Sequence, residues 1–165
     1  MPSTGSRLSG GAPPIRIRRP TFNVSEDAPK YFYRGEKGVT SLLYALSAVF
    51  PEGERMFIDA VLHYRDRITN EALQKDVRAF AGQEAQHGRL HEAYNAYAMA
   101  RGFDVDPISA SVKERNALLK KRLPPVARLA TTAALEHFTR RSRSTSSTRC
   151  RAATSCGCGR TWWCR

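Results

Sequence analysis

Glu84, His87 and His91 stand at i, i+3 and i+7, a spacing that lays a carboxylate and two imidazoles along one face of an α-helix. A carboxylate oxygen beside an imidazole nitrogen suits iron, manganese or zinc. The surrounding positions share that face. Leu73, Val77, Phe80, Glu84, His87, His91, Tyr94 and Ala98 alternate steps of four and three, the seam of a packed bundle helix. The ionisable residues sit in its middle, where burial is greatest. A buried carboxylate without a compensating partner is costly, so this arrangement calls for one.

Two other segments repeat the pattern. Leu43, Ser47, Phe50, Glu54, Phe57, Val61 and Tyr64 follow the seam spacing with Glu54 as the one acid, and Val126, Leu129, Ala133 and Glu136 follow it with Glu136. Three helices each offering one carboxylate from an apolar face would converge on negative charge that a divalent cation offsets. The plainer alternative is chance: a lone Glu-x-x-His is common, and a core histidine is usually just hydrogen-bonded. The shared register of Glu54 and Glu136 is what favours a metal. His91 is a candidate ligand, an outer partner of the ligands or a proton shuttle. His137, adjacent to Glu136, is turned about 100° away and reads as a packing or outer residue. His63 lies off its seam and reads as structural.

Four helices must position these side chains. Thr40 is expected to cap the first, which runs through Ser41 to Phe50 and past Pro51 to about Arg67, kinked or restarted at the proline. Thr69 or Asn70 caps the second, which ends before Gly102. Asp106 as cap, followed by Pro107 in the first turn, opens a third to about Arg122, and after Pro124-Pro125 a fourth runs from Val126 to at least Thr139. Strand signals are weak, so the expected class is all-α.

The 165-residue chain carries a net charge of +12, which at first suggests a nucleic-acid or anionic-surface binder. Its distribution weakens that reading. Residues 1–30 contribute +3, residues 31–139 only +2, and residues 140–165 contribute +7 with no acid at all. Three segments follow: a flexible basic arm (1–30), a helical metal-binding domain (31–139), and an Arg/Ser/Cys-rich tail (140–165). The tail holds Cys150, Cys156, Cys158, Cys164 and both Trp, and lacks Leu, Ile, Val, Met, Phe and Lys.

Three explanations compete for it. A zinc module is disfavoured by the tight Cys156-Gly157-Cys158 spacing and the absence of His. A basic arm would use Arg for phosphates and Trp for stacking. A shifted reading frame in GC-rich DNA accounts for the vocabulary best: Ser144 to Thr148 can be encoded TCG ACG AGC TCG ACG, which two bases later reads Asp-Glu-Leu-Asp. No stretch approaches the roughly 20 apolar residues of a membrane helix. Residues 1–14 lack the apolar run of a signal peptide, so a cytoplasmic protein is expected.

Phe50-Pro51-Glu52-Gly53-Glu54-Arg55, Phe57-Ile58-Asp59-Ala60-Val61 and His63-Tyr64-Arg65-Asp66 form one block. Gly82-Gln83-Glu84-Ala85-Gln86-His87 with His91, and Ala134-Leu135-Glu136-His137-Phe138-Thr139, form two more. Together they resemble the bacterial family of predicted metal-dependent hydrolases over about residues 30–139. The resemblance implies a ferritin-like helical bundle and a divalent metal (iron, manganese or zinc) held by Glu54, Glu84, His87 and Glu136, with His91 a candidate. It implies hydrolysis of a small-molecule substrate, while a ferritin-like centre equally suits di-iron oxygenase chemistry. One departure stands out. Ferritin-like di-metal sites use a second Glu-x-x-His, expected on a helix after Thr139, where this chain has no Asp, Glu or His. The bundle thus reads as missing its last helix and a quarter of its site. Its uncovered apolar face is expected to cause aggregation or pairing with another subunit.

Overall fold

The computed structural model describes residues 15–20, 25 and 28–152, with side chains through Thr139. Among these residues the chain is all-α, without strands: α1 (Lys37–Leu62), α2 (Glu71–Ala100), α3 (Asp106–Arg122) and α4 (Pro125–Ala152), with one 3-10 turn at Arg65–Arg67. The change of vocabulary at residue 140 therefore falls inside α4. Cys156, Cys158, Cys164 and both Trp, on which the zinc and basic-arm readings of the tail turn, lie outside the described residues.

Local chemistry sets the ends of α2. Asn70 Oδ1 accepts from the Leu73 N–H at 3.0 Å, supplying one of the donors every helix start leaves over. At the other end Gly102 adopts φ 78°, which a residue without Cβ reaches at little cost. That turn lets Gly102 N donate to Met99 O and Phe103 N to Ala98 O, at 2.9 and 3.1 Å, the paired bonds of a Schellman stop. The N-cap of α3 is Val105, not Asp106, which lies with Pro107 in the first turn; Lys120, Lys121 and Arg122 lie in the last, where cations meet the negative end of the helix dipole.

The start and end of α1 differ from expectation. Its N-cap is Glu36, not Thr40. The left-handed pair Arg34 and Gly35, φ 52° and 75°, breaks the chain upstream, so the helix begins a turn earlier and Thr40 is buried within it. It also stops at Leu62, short of Arg67, where the chain tightens into the 3-10 turn.

Pro51 lies inside α1 and cannot donate the hydrogen bond that Ser47 O would otherwise receive. Asn95 Nδ2 of α2 reaches that carbonyl instead, at 3.4 Å. Nearby, Ser109 Oγ of α3 donates to Ala48 O at 3.0 Å and Asn116 Nδ2 to Glu52 O at 2.9 Å. The backbone of α1 around Pro51 is thus met by side chains of both neighbours. α1 is the hub: it packs against α2, α3 and α4.

One end of the α1–α2 seam closes on aromatic rings. Tyr44 lies 4.6 Å from Phe103, 5.1 Å from Tyr94 and 5.6 Å from Phe32 between centroids. Burial raises the pKa of both the Tyr44 and Tyr94 hydroxyls, so both stay neutral at physiological pH. On α4 the inward positions are Arg128 and Thr132, whereas Val126 and Ala133, placed on the seam by spacing, are exposed. The reason is electrostatic. Arg128, 8% exposed, sends Nη1 to Asp59 Oδ2 of α1 at 2.5 Å, and this contact turns the helix. Lys120 Nζ of α3 binds the other oxygen at 2.7 Å, so one carboxylate ties three helices together.

The hydrogen bond from Lys120, more than the adjoining Arg128, holds the Asp59 carboxyl below its ordinary pKa. A depressed folded-state value adds stability above the unfolded-state pKa, lost as pH falls through the folded one. Thermal melts of Asp59→Ala at pH 7 should show destabilisation of about 1–3 kcal/mol, the cost of leaving the buried Arg128 donor without its acceptor. The difference from wild type should narrow as the pH is lowered below 4; a gap independent of pH would refute the electrostatic account.

Candidate metal centre

The backbone of α1 beyond Pro51 and the middle of α2 bring Glu54, Glu84 and His87 to one place. A ligand atom from each lies within 4.8 Å of the other two. Glu54 and Glu84 are 3% and 7% exposed, and His87 is half-buried. His87 Nδ1 lies 2.7 Å from Glu54 Oε1. From the far side of the ring, Nε2 lies 3.2 Å from His91 Nε2, and His91 Nδ1 lies 2.8 Å from Ser47 Oγ. Phe50 stacks flat on His91, with centroids 4.3 Å apart and planes 6° from parallel.

Two carboxylates and an imidazole within that span are the donor types of iron, manganese and zinc sites. Two acids closing on each other in a helix seam repel, and a divalent cation turns that repulsion into attraction. The residues present therefore fit a metal.

Of the five candidate ligands from the sequence, Glu54, Glu84 and His87 converge. His91 adjoins His87 but is outside the three-residue group, and so is Glu136, half-buried on α4. His63 and His137 are exposed. Sequence reasoning placed Ser47 and Phe50 on the α1 seam without giving either a role. The signal was present for Ser47, a hydroxyl among apolar seam positions. It was absent for the segment at residues 15–20. There the Arg18 N–H donates to Gln83 Oε1 at 2.8 Å, and Ile17 Cδ1 lies 2.6 Å from where a Cβ on Gly82 would stand. A larger residue at Gly82 would make the Ile17 side chain shift; this segment rests on α2 within two residues of Glu84.

A cleft of about 510 Å³ lies elsewhere: Arg55, Ile58, Asp59, Leu62, Lys120 and Arg128 line it, and none of the three converging residues does. Arg55, at its rim, pairs with Glu52 and Glu92. No described helix is long and apolar enough to cross a membrane.

Fold and site together define an all-α protein with a carboxylate–imidazole cluster able to hold a metal between its first two helices. The chain belongs to the predicted metal-dependent hydrolase family, whose model matches residues 16–142. That match takes in the segment resting on α2 as well as all three sequence blocks. Neither a curated protein nor a solved structure matches the chain.

The convergence of acids makes Glu84→Gln informative. In metal-free protein the substitution should raise the melting temperature by about 2–4 °C, equivalent to about 1 kcal/mol for a chain of this size, while weakening metal binding. Calorimetry after chelation checks it; a lower melting temperature would show Glu84 to be structural.

Proposed function

We propose that the chain is a metal-dependent hydrolase of a small-molecule substrate, its centre built from Glu54, Glu84 and His87 in a ferritin-like helical arrangement. The convergence of these three side chains from two helices is the observation that carries the reading. When bound, a divalent cation supplies Lewis acidity that activates water for attack. The protein's part is to hold and to exclude. Glu54 and Glu84 bring their carboxylates together in a buried seam, and Phe50 shields the imidazole side of the cluster. His87 Nδ1 and Glu54 Oε1 share a hydrogen bond in the metal-free chain, and a bound cation would take the place of the proton between them.

Ferritin-like di-metal sites use a second Glu-x-x-His, which residues 140–165 do not supply, so the centre is expected to take no more than one metal. Elemental analysis of purified wild type should give at most one divalent metal per chain, and Glu84→Ala/His87→Ala should give essentially none. Two metals per chain would overturn the incomplete-site reading. Equal metal in both proteins would remove the site. Anaerobic iron loading followed by air separates the di-iron oxygenase alternative, which alone should give a near-ultraviolet oxo-bridged absorption.

A second copy of the chain is the proposed cover for the outer face of α1. Val39, Leu42, Leu46 and Val49 are exposed at steps of three and four, and the helix carries no charge from Gly38 through Pro51. A stripe of this kind marks an interaction surface. Wild type should elute as a dimer in light-scattering chromatography and Leu42→Glu/Leu46→Glu as a monomer; a monomeric wild type would rule the pairing out.

A further inference from the structure

Four residues from α1 and α2 form one hydrogen-bonded line: Ser47, His91, His87 and Glu54. The two ends come from α1, on either side of Pro51, and the two imidazoles from successive turns of α2. Ser47 is 3% exposed, and Phe50 lies flat against His91, so neither member can easily turn elsewhere.

With both rings neutral, the proton positions follow by elimination. A neutral imidazole has one N–H and one accepting nitrogen. Glu54, as a carboxylate, only accepts, so His87 Nδ1 donates to it. His87 Nε2 must then accept, from the N–H at His91 Nε2. His91 Nδ1 in turn accepts from the Ser47 hydroxyl. Every bond points from Ser47 toward Glu54.

A cation held by Glu54 and Glu84 would meet His87 at Nδ1, the ring nitrogen that faces Glu54. The single proton of that ring then sits on Nε2, and the line reverses: His87 donates to His91 Nε2, and His91 Nδ1 donates to Ser47 Oγ. Each ring keeps one proton. The reversal ends at a group that must donate in one state and accept in the other, and a hydroxyl does both. An aliphatic side chain there does neither.

We propose that His91 and Ser47 are positioning residues for the metal. His91 is the outer partner that holds the His87 ring for coordination through Nδ1, and Ser47 is the terminal group that accommodates both directions of the line. Metal-binding histidines characteristically have their second nitrogen held in this way. This inference rests on the metal-centre reading and assigns His91 a place beside the ligands, not among them.

Cobalt(II), whose visible bands report coordination, provides the test. Wild type, Ser47→Ala, His91→Ala and the double variant are titrated with Co²⁺, and metal-free melts check that each folds. Each single variant should bind about 10–100-fold more weakly. Ser47→Ala should cost nothing further in the His91→Ala background, since the two act through one line. Wild-type affinity in Ser47→Ala, or the same loss in both backgrounds, overturns the proposal. Failure of wild type to bind Co²⁺ instead overturns the metal-centre reading on which it rests.

Histidine ¹H–¹⁵N spectra of the Zn²⁺-loaded wild-type chain need no variant to fold. They should show the proton of His87 on Nε2 and that of His91 on Nδ1. Coordination of His91 through Nε2 would refute the assignment.

Discussion

Two acids, Glu54 and Glu84, buried in the seam between α1 and α2 are the constraint around which the rest of the molecule is arranged. Carboxylates so placed lose hydration that the protein interior does not replace unless donors or a cation are near. His87, one turn from Glu84 and hydrogen-bonded to Glu54, supplies one compensation. A metal, with its concentrated charge, would supply the other. A hydrophobic pair of similar volume would pack the same helices without that demand, so the acids are explained by a ligand better than by stability.

The route by which α1 delivers Glu54 runs through Pro51. A proline in mid-helix forfeits one backbone bond, and the carbonyl it leaves over, Ser47 O, is reached by Asn95 of α2. The backbone oxygens of Ala48 and Glu52 take side-chain donors from α3. The local weakness of one helix thus becomes the place where two others attach. The same stretch carries Ser47, Phe50 and Glu54, which touch His91 or His87 in turn. Farther along α1, Asp59 draws in Lys120 and Arg128, and its position decides which face of α4 turns inward.

Long helices and their chemistry-bearing faces were legible in the linear chain because period and caps are local properties. Asn70 and Gly102 bounded α2 as their side-chain chemistry requires, and the four-three spacing placed Glu54, Glu84 and His87 on buried faces. The α4 seam was misread by spacing because Arg128 is a long cation, whose inward turn depends on a carboxylate far away in sequence. Thr40 looked like a cap because a helix start is identified from neighbouring residues, and the left-handed Arg34–Gly35 turn that actually sets the start offers a weaker signal.

By itself, the sequence determined the all-α class, the boundaries of α2 and the face that holds Glu84 and His87, since each follows from interactions within a few residues. It also located the charge: +12 overall leaves +2 within residues 31–139, which separates the helical region's chemistry from that of the tail. Only the tertiary structure decided which acid meets His87, that Ser47 closes a hydrogen-bonded line through His91, and that residues 15–20 rest on α2 at Gly82. These are contacts between positions 30 to 70 residues apart in the chain. No periodicity encodes them, because they depend on how far one helix slides and turns against another.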